Sequence, residues 1–437
     1  MNKRLLALLT LLVIASMALA ACGGGAATEA PAEEPAAEEP AAEEPAAEEP
    51  AGAFECTDAI GCVSIAPGDP IHIAYALTVS GATASLGEDS KGAIEIAIAD
   101  RGGELLGHPI ELSGEDTLCN AEGGQAAGTK ISADATIIGV IGTNCSSEAR
   151  AAMPLISQAG MVMISPSNTN PDLTDPSHPD QHDGYFRTAH NDLFQGRIAA
   201  EFAYNELGVR KAATIHDGSP YAESLQRVFA EVFAELGGEV TAQEAINVGD
   251  TDMKPVLTSI ATGAPEIIYF PIFEPEGNLI AAQSREVAGL ETVLLMGADG
   301  LFADTFPEAT GSAADGMYLS GPYVDVNDSA YGEFLAKWAD QIGGVPPSGF
   351  HAHAYDATNM LLNGIEEVAV VDADGTVHIG RQALRDYLYG LSNYDGLTGN
   401  LTCNENGDCA TGEALGVFKL STEEVNGAWP PPVFWQP

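Results

Sequence analysis

The sequence predicts an α/β fold in which two lobes, each a doubly wound parallel sheet, are joined by a hinge and enclose a ligand cleft. Short apolar segments alternate with longer amphipathic segments through most of the 437 residues, as expected for repeated strand–helix units. Several short segments are nearly continuous apolar runs, which is typical of parallel strands covered on both faces. The alternation occurs in two series, separated by a polar, turn-rich segment at 177–187. Two such units would leave a cleft at the carboxyl ends of their strands, where α/β sheets bind ligands.

The first series is a run of strand–helix repeats. The helix expected at 87–103 places Ile94 and Ile98 on one face and ends at a glycine pair, while the helix at 121–134 consists largely of small residues. The run TIIGVIG (136–142) is the clearest buried strand. Strands are expected at 71–77, 108–116, 136–142 and 161–165, and helices at 87–103, 121–134 and 146–160.

The second series follows the same alternation, and its helix at 221–238 is strongly amphipathic. Helices are expected at 191–208, 221–238, 252–265 and 274–290, and strands at 211–217, 239–247, 266–273, 292–299 and 316–322. The pattern then becomes mainly helical, at 329–343, 353–369 and 381–392. The tail returns to strands at 399–403 and 414–420, which we expect to form a hairpin tied by Cys403 and Cys409.

The first 53 residues are predicted to be a targeting signal followed by a tether. Lys3 and Arg4 precede an apolar run too short for a membrane span, and small residues lead to Cys22. We therefore interpret 1–21 as a lipoprotein signal peptide and Cys22 as the lipidated residue, the alternative being an ordinary secretory signal with an incidental cysteine. Residues 22–53 are Pro-, Ala- and Glu-rich with nine carboxylates, as expected for a disordered tether rather than a binding segment. The protein would thus be held at the outer face of the cell membrane.

Six cysteines remain after Cys22, and an even number in an exported chain suggests three disulfides. Cys56 and Cys62 are separated by five residues, as are Cys403 and Cys409, so each pair could close a small loop, the first within a short segment at 54–69. Proximity then pairs Cys119 with Cys145, although fifteen connectivities are possible. A zinc site is the alternative, but no CxxC pair exists and the histidine spacing is irregular.

The composition argues against nucleic acid and enzymatic functions. The 63 acidic and 17 basic residues give a net charge of −46, whereas phosphate binding requires clustered cations. The sequence has no GxSxG elbow, no HExxH motif and no phosphate loop. We therefore expect no catalysis, no cofactor and no metal, and we interpret the histidines near 178–190 and 351–353 as solvated loop residues.

Two hydroxyl-rich turns mark the expected ligand site. Ser146 begins a helix directly after the strand at 136–142, and Ser167, Asn168 and Thr169 follow the next strand. Helix-start amides and the helix dipole favour a carboxylate, and consecutive parallel strands are usually neighbours. The turns are therefore expected to bind a ligand carboxylate together, the alternative being that the hydroxyls only cap helices.

Two residues of the second series are expected on the opposite wall. Asp299 ends a strand, where one carboxylate would suit an ammonium group, unless it is only a helix cap. Tyr221 follows the strand at 211–217 and could close over a small ligand, the alternative being packing alone.

From about Pro70 to Phe418 the chain resembles leucine/isoleucine/valine-type solute-binding proteins of ABC importers, the type 1 periplasmic binding proteins. The resemblance rests on ALTVSGATASLGEDSKGAIEIAIADRGG, the Cys119…CysSerSer turn, ISPSNTNPDLT, IHDGSPYAESL, IYFPIFEPEGNLIAAQSREVAGL and LLMGADG. It implies three chain crossings between the lobes, with lobe one at 70–190 plus 322–396 and lobe two at 191–321 plus 397–437. It also implies the Cys119–Cys145 disulfide beside the pocket.

The resemblance further implies roles for individual residues. Ser146, Ser167 and Thr169 would hold an amino-acid carboxylate, Asp299 with the latter two would receive the ammonium, and Tyr221 and Phe273 would face the ligand. Three positions depart from the pattern of leucine binders: Asp299 is one methylene shorter than the expected Glu, Leu86 replaces an aromatic residue, and Asn144 replaces an apolar one. A ligand with a polar side chain therefore fits the resemblance as well as a branched one.

The function expected from the sequence is capture of an amino acid by cleft closure. The closed, monomeric protein would deliver it to the permease and ATPase complex of an ABC importer. Binding of a short-chain amide or urea on the same fold, a sensory ligand-binding module and an extracellular hydrolase are the alternatives.

Overall fold

Two parallel sheets form the folded body of the protein. The computed structural model describes residues 54–410, 414–425 and 427–437. The predicted signal peptide, the predicted lipidation site Cys22 and the predicted tether lie outside these described residues. Three disulfides are present, and they join the cysteines paired in the sequence analysis: Cys56–Cys62, Cys119–Cys145 and Cys403–Cys409.

The described strands alternate with helices as the two series predict. The strands up to the first crossing are β1 (Cys62–Ile65), β2 (Ile71–Leu77), β3 (Glu104–Leu105), β4 (His108–Asp116), β5 (Ile137–Gly142), β6 (Val162–Ser165) and β7 (Tyr185–Arg187). The next are β8 (Lys211–His216), β9 (Glu239–Ala245), β10 (Ile267–Tyr269), β11 (Leu294–Gly297) and β12 (Tyr318–Pro322). The last are β13 (Val370–Val371), β14 (Val377–Gly380), β15 (Tyr394–Gly396), β16 (Gly399–Leu401), β17 (Leu415–Lys419) and β18 (Val433–Trp435).

Most helices agree with the predicted ones to within about four residues. The described helices are α1 (Ala84–Asp100), α2 (Ala121–Ala133), α3 (Ser146–Gln158), α4 (Asp192–Glu201), α5 (Pro220–Glu235), α6 (Lys254–Ala261), α7 (Glu276–Ser284), α8 (Thr305–Thr310), α9 (Ser329–Gln341), α10 (His351–Val368), α11 (Arg381–Tyr389) and α12 (Thr422–Val425). The helix predicted at 191–208 continues beyond α4 only as a π-helical turn at Phe202–Glu206, α7 ends six residues before the predicted helix, and α8 and α12 were not predicted. None of the helices among the described residues is long and apolar enough to cross a bilayer.

The first sheet has the order β3-β4-β2-β5-β6-β7, and all its strands are parallel except for the β3–β4 pair. Every residue of β5 and β6 is buried, because helices cover both faces. Ile94 of α1 and Leu361 of α10 pack on one face, and Ala127 of α2 and Ala152 of α3 pack on the other. The predicted doubly wound α/β architecture is confirmed.

The second sheet has the order β18-β17-β12-β11-β10-β8-β9. Five of its strands, β8 to β12, run parallel, with β9 at one edge, and β17 and β18 are antiparallel additions at the other edge. Phe229 and Phe233 of α5 are fully buried in its core. The chain passes between the two sheets after β7, after β12 and after β16, so the ends of the strands that face the cleft come from both series.

The predicted hairpin of 399–403 with 414–420 is wrong. β16 pairs with β15, and β17 pairs with β12. The loop closed by Cys403–Cys409 instead lies along β7, where Arg187 N donates to Gly407 O at 3.0 Å and Cys409 N donates to Arg187 O at 3.1 Å. Ten residues separate the two predicted strand segments, which is too many for a tight hairpin, so each segment pairs with a distant strand instead.

The same contacts change one expected lobe boundary. Leu401, Cys403 and Cys409 are buried in the core of the first sheet, whereas the sequence analysis assigned everything from residue 397 to the second lobe. Only the part from 414 onward, with β17 and β18, joins the second sheet. The reason is apolar burial: Leu401 and the disulfide cover the first sheet's core beside β7.

The segment at 54–69 is more than a disulfide loop. β1 pairs with β14, with Cys62 opposite Gly380. The Asp58 carboxylate accepts hydrogen bonds from Gln382 N and Ala383 N in the first turn of α11. Burial alone would raise the pKa of Asp58, but these hydrogen bonds hold it below the ordinary range. Residues near the start of the folded body thereby cap a helix more than 300 positions later.

Close approach of α2 to α3 makes Gly124 a sensitive position. A Cβ on Gly124 would lie 2.5 Å from Glu148 O and 2.6 Å from its Cα. We expect Gly124→Ala to cost about 1–3 kcal/mol in the free energy of unfolding, because the backbone of α3 must move. Gly332 is the matched control, since it is also the fourth residue of its helix and has nothing within 4 Å of an added Cβ. Gly332→Ala should be neutral or stabilising by up to about 1 kcal/mol in chemical denaturation, and equal effects of the two variants would contradict the packing argument.

Candidate functional site

A cavity between the two sheets brings together most of the residues singled out in the sequence. It contains about 230 Å³ of space outside the atoms and is lined by both polar and apolar side chains. Its lining residues are Leu86, Asn144, Ser146, Ser167, Tyr221, Phe273, Asp299 and Phe350. Phe273 of the second lobe packs against a small cluster that includes Leu86 and Phe350, so the two lobes are in contact around the cavity.

The polar wall of the first lobe is built on the start of α3. Ser146 is the first residue of this helix, so its hydroxyl lies beside free backbone amides and the positive end of the helix dipole. Ser146 Oγ accepts from Asn170 N at 3.3 Å, and Ser167 Oγ donates to Asn144 O at 3.1 Å. The two turns predicted to be neighbours are therefore hydrogen bonded to each other, and both hydroxyls line the cavity.

A buried carboxylate holds this wall from behind. Glu148 accepts hydrogen bonds from Asn144 N at 3.1 Å, Cys145 N at 2.8 Å and Thr78 Oγ1 at 2.6 Å. Burial raises the pKa of Glu148, while these hydrogen bonds act in the opposite direction. The Cys119–Cys145 disulfide fixes the residue that precedes Ser146. The start of α3 is thus fixed by side-chain contacts as well as by its own backbone.

Asn144 connects three segments around the cavity. Its Oδ1 accepts from Thr78 N at 2.9 Å, and its Nδ2 donates to Leu86 O at 3.2 Å and to Ser167 Oγ at 3.2 Å. The amide group of Asn144 therefore makes its hydrogen bonds within the protein, although the side chain borders the cavity. Leu86, which is 4% exposed, supplies apolar surface from α1.

The wall of the second lobe is centred on Asp299. This residue is 3% exposed, and its Oδ1 accepts from Gln195 Nε2 at 2.6 Å and Tyr221 OH at 3.0 Å. Burial raises the pKa of Asp299 to about 6, although both hydrogen bonds lower it. The Tyr221 hydroxyl in turn accepts from Gly300 N at 2.9 Å, and its ring lies 4.8 Å from that of Phe273. At neutral pH the wall therefore presents a negative charge and two aromatic rings.

Two predicted site residues do not line the cavity. Asn168 points into the first lobe, where its Oδ1 accepts from Thr143 Oγ1 at 3.1 Å and Tyr185 OH at 3.2 Å. Thr169 is fully buried; its carbonyl accepts from Asp192 N at 2.9 Å, and its hydroxyl has no well-formed hydrogen bond. Asn168 therefore supports the turn from behind, and the Thr169 hydroxyl is available for a ligand only if the turn adjusts.

Three residues at or behind the site were missed in the sequence. Phe350 lies in an irregular stretch before α10, where no periodicity marks it. Gln195 and Asp192 belong to the first turns of α4, which reads as an ordinary helix start. Asp192 is fully buried beside Thr169 and Ser224, and burial raises its pKa to about 8, with the charge of Asp299 adding to the shift. Acidic and amide residues at a helix start would have been the only available signal.

Two groups of possible metal ligands occur within the parts of the chain that the structure describes. Cys119, Cys145 and Glu148 form one, but both sulfurs are joined in the disulfide. Asp172, His178 and Asp180 form the other, on a partly exposed surface where Arg150 already pairs with Asp180. Neither group lies in the cavity, and neither offers the complete, free ligand set of a metal centre.

Comparison with known proteins places this architecture in a family. A family model described as periplasmic binding protein matches residues 70–417. A leucine-, isoleucine-, valine-, threonine-, and alanine-binding protein of Pseudomonas aeruginosa is 28% identical over 350 residues, which cover 78% of this chain and 87% of the relative. The crystal structure of a leucine-binding protein from Thermotoga maritima matches with a TM-score of 0.74 at 25% identity, over 84% of this chain and 99% of that chain.

The same fold also occurs with a different ligand. A solute-binding protein of an ABC transporter from R. palustris, crystallised with benzoate, matches with a TM-score of 0.68 at 21% identity, over 80% of this chain and 93% of that chain. Fold alone therefore does not identify the ligand. The family match, by contrast, covers the first sheet, all of the second sheet except the end of β17 and β18, and every residue that lines the cavity. The family consists of extracytoplasmic solute-binding proteins, not enzymes. The chain belongs to the periplasmic binding protein family, in its type 1 form.

Proposed function

We propose that this protein captures a free amino acid in the cavity between its lobes and delivers it to an ABC importer. The observation that carries the proposal is the pairing of opposite walls. The start of α3 with Ser146 and Ser167 suits a carboxylate, and Asp299 suits an ammonium group. A free amino acid carries both groups on one carbon atom, so a single small ligand satisfies both walls.

The remaining lining would receive the ligand's side chain. Leu86, Phe273 and Phe350 provide apolar surface, which fits the branched or small side chains bound by the Pseudomonas relative. Asn144 adds one polar group at the border of this surface, so a side chain with a hydroxyl also fits. The benzoate ligand of the R. palustris protein is a less suitable occupant, because it has no cation to pair with buried Asp299.

Ligand entry requires the lobes to separate. Asn170 Nδ2 of the first lobe donates to Pro220 O of the second at 2.6 Å, and Ser85 Oγ donates to Asp304 Oδ1 at 3.3 Å across the cleft. With such contacts the described conformation is a closed one. We infer that the ligand shifts an open–closed equilibrium toward this form, and that the closed form, as a monomer, is the one that docks on the permease.

We further propose that Cys22 is lipidated and that residues 22–53 tether the body to the outer face of the membrane. A Cys22→Ser variant should be released from membranes during cell fractionation, whereas the wild type should sediment with them and incorporate a labelled fatty acid. Equal fractionation of the two forms would remove the anchor from the proposal without affecting ligand binding.

A thermal-shift screen of the folded body tests the ligand class. Amino acids, short-chain amides, urea and benzoate are compared at millimolar concentration, where a micromolar ligand stabilises by about 4 kcal/mol. Stabilisation by one or more amino acids supports the proposal. Stabilisation by an amide, urea or benzoate and by no amino acid would replace it with the corresponding alternative.

Amino-acid affinity should fall in acid. Because burial raises the pKa of Asp299 to about 6, lowering the pH through 6 protonates the carboxylate that pairs with the ammonium. We expect the Kd from calorimetry to be nearly constant above pH 7 and to rise by up to about tenfold per pH unit below pH 6. An affinity that stays constant from pH 7.5 to pH 5 in folded protein would contradict the role of Asp299.

A further inference from the structure

A chain of buried polar side chains runs from Asp299 to the hinge. Gln195, on the second turn of α4, is fully buried. Its Nε2 lies 2.6 Å from Asp299 Oδ1 and 3.1 Å from Ser320 O, and its Oε1 lies 2.5 Å from His190 Nε2. His190 is 3% exposed and lies in the first segment that connects the lobes, and His351 and His353 are buried in the first turn of α10. The expectation that these three histidines are solvated loop residues is therefore wrong.

The chemistry of these neighbours fixes the direction of each hydrogen bond. An ionised carboxylate and a carbonyl can only accept, so the amide nitrogen of Gln195 faces Asp299 and Ser320. The amide oxygen must then face His190, and because an amide oxygen only accepts, His190 Nε2 must carry the proton. A neutral His190 therefore has an unprotonated Nδ1.

The other side of His190 opens into a second, hinge cavity. This cavity is lined by Thr188, His190 and His353, together with Thr398 and Asn400 of the β15–β16 hairpin and with Ala410 and Ala414 at the third crossing. Nδ1 of His190 and Nδ1 of His353 are both buried there without a hydrogen-bond partner in the described residues. Burial lowers the pKa of His190 to about 4. The hydrogen bond to Gln195 acts to raise this pKa, and the positive charge of Arg187 lowers it further. The ring is therefore neutral at physiological pH.

We propose that Gln195 and His190 are positioning residues that make the cavity selective for ligands with a cationic amino group. This deepens the proposed function and rests on it. The Nε2–H tautomer of His190 determines the direction of both hydrogen bonds: His190 donates to Gln195, and Gln195 donates to Asp299. Donation stabilises the anionic form of Asp299, which then needs a cation in the cavity.

The reverse arrangement would select a different ligand. If His190 presented an unprotonated Nε2, the Gln195 amide would turn, and its oxygen would face Asp299. Asp299 would then have to be protonated to donate, and the wall would suit a neutral amide. The other ionisable groups facing Asp299 are Asp192 of α4, Tyr221 of α5 and Tyr269 of β10, none of which is a cation. Gln195 therefore supplies a donor that no charged neighbour replaces.

The test measures the carboxylate and the imidazole in the ligand-free protein. With ¹³Cγ-labelled aspartate, the Asp299 signal is assigned by its loss in Asp299→Asn and titrated in wild type, Gln195→Leu and Gln226→Leu. Gln226 is the matched control, a buried glutamine of the same lobe whose Nε2 bonds Glu244 O, outside the cavity. We expect the Asp299 titration midpoint to rise by at least one pH unit in Gln195→Leu and to stay unchanged in Gln226→Leu.

Measurements on His190 test the direction of the hydrogen-bond chain from His190 through Gln195 to Asp299, which we call the relay. ¹⁵N spectra of histidine-labelled protein should show His190 as the Nε2–H tautomer at pH 7. His190→Gln, whose amide can still donate to Gln195, should keep the Asp299 midpoint, and His190→Phe should raise it. If Gln195→Leu unfolds the protein, this pair of variants decides the question alone. An unchanged Asp299 midpoint in the folded Gln195→Leu or His190→Phe variant, or a His190 Nδ1–H tautomer, overturns the proposal.

Ligand selectivity is then read in the thermal-shift screen with L-leucine, L-threonine and acetamide. The relay predicts that Gln195→Leu reduces stabilisation by the amino acids more than stabilisation by acetamide. Because the titrations use no ligand, failure of the amino-acid proposal and failure of the relay give different results. If only the amino-acid proposal fails, the titration midpoint of Asp299 still changes in Gln195→Leu. If the relay fails, the midpoint is the same in Gln195→Leu as in wild type.

Discussion

Replacing Asp299 by asparagine is expected to weaken amino-acid binding by about 100-fold or more. The substitution keeps the size of the side chain and removes the one charged group that the described residues contribute to the cavity lining. Truncating one partner of a buried, hydrogen-bonded charge pair typically costs 2–5 kcal/mol, which corresponds to a factor of about 30 to several thousand in Kd. Calorimetric titration with the amino acid that gives the largest thermal shift measures the effect directly.

A second carboxylate of the same lobe provides the control for this substitution. Asp217 is 7% exposed, accepts from Ser219 N at 2.9 Å and does not line the cavity. Asp217→Asn should therefore leave the affinity within about twofold of wild type. Asp299→Asn should also lose the acid dependence of binding. If Asp299→Asn binds the amino acid normally, the ammonium does not lie at this wall.

Replacing Asp408 by asparagine is expected to cost about 3–5 kcal/mol in the free energy of unfolding. Asp408, in the Cys403–Cys409 loop, forms an ion pair with Arg187, whose side chain is fully buried. Arg187 also donates to Asn170 O at 2.8 Å and to Thr174 Oγ1 at 2.6 Å, beside the turn that carries Ser167. Removing one partner of a buried pair leaves the other charge uncompensated, which is the costly outcome. Urea denaturation of the two proteins tests this.

The pH dependence of stability identifies the cause. Burial alone would raise the pKa of Asp408, but the Arg187 guanidinium holds it below the ordinary range. A depressed pKa in the folded state means that the stabilisation is complete above about pH 4 and is lost as the pH falls through the folded-state value. The difference between wild type and Asp408→Asn should therefore shrink below pH 4.

A surface ion pair serves as the control. Lys337 lies 2.7 Å from Asp100, and its side chain is 41% exposed. Lys337→Met should cost no more than about 1 kcal/mol. Equal costs for the two substitutions would show that burial of Arg187 does not determine the energetics.

Hydrophobic periodicity predicted most of the helices and strands, because burial of an element on one or both faces leaves a local pattern. The run at 136–142 is recovered to within one residue as β5, and the amphipathic helix at 221–238 to within three residues as α5. Much of the cavity could be predicted for a related reason. The residues after parallel strands meet at one sheet edge, so Ser146, Ser167 and Asp299 were recognisable as a group.

The remaining features depend on contacts between distant segments. Gln195 and Phe350 acquire their positions only when the crossing segments meet, and nothing next to them in the sequence distinguishes them from a helix residue and a loop residue. The loop at 403–409 was interpreted as part of a hairpin because strand-like segments lie on both sides of it. Its actual partner, β7, lies more than 200 residues earlier, and pairing at that separation has no local signal.

The three crossings of the chain also determine when the protein can fold. The first sheet needs α10 to cover one face, and the second sheet is completed by β17 and β18 near the end of the chain. Neither core can therefore close until nearly the entire polypeptide has been synthesised, and contacts this distant form slowly. The proteins of this family are extracytoplasmic, and for a chain that crosses a membrane unfolded this delay would be an advantage, because an incomplete lobe cannot become a stable obstacle to translocation. Refolding of a fragment ending before residue 350 should accordingly yield no cooperative unfolding transition.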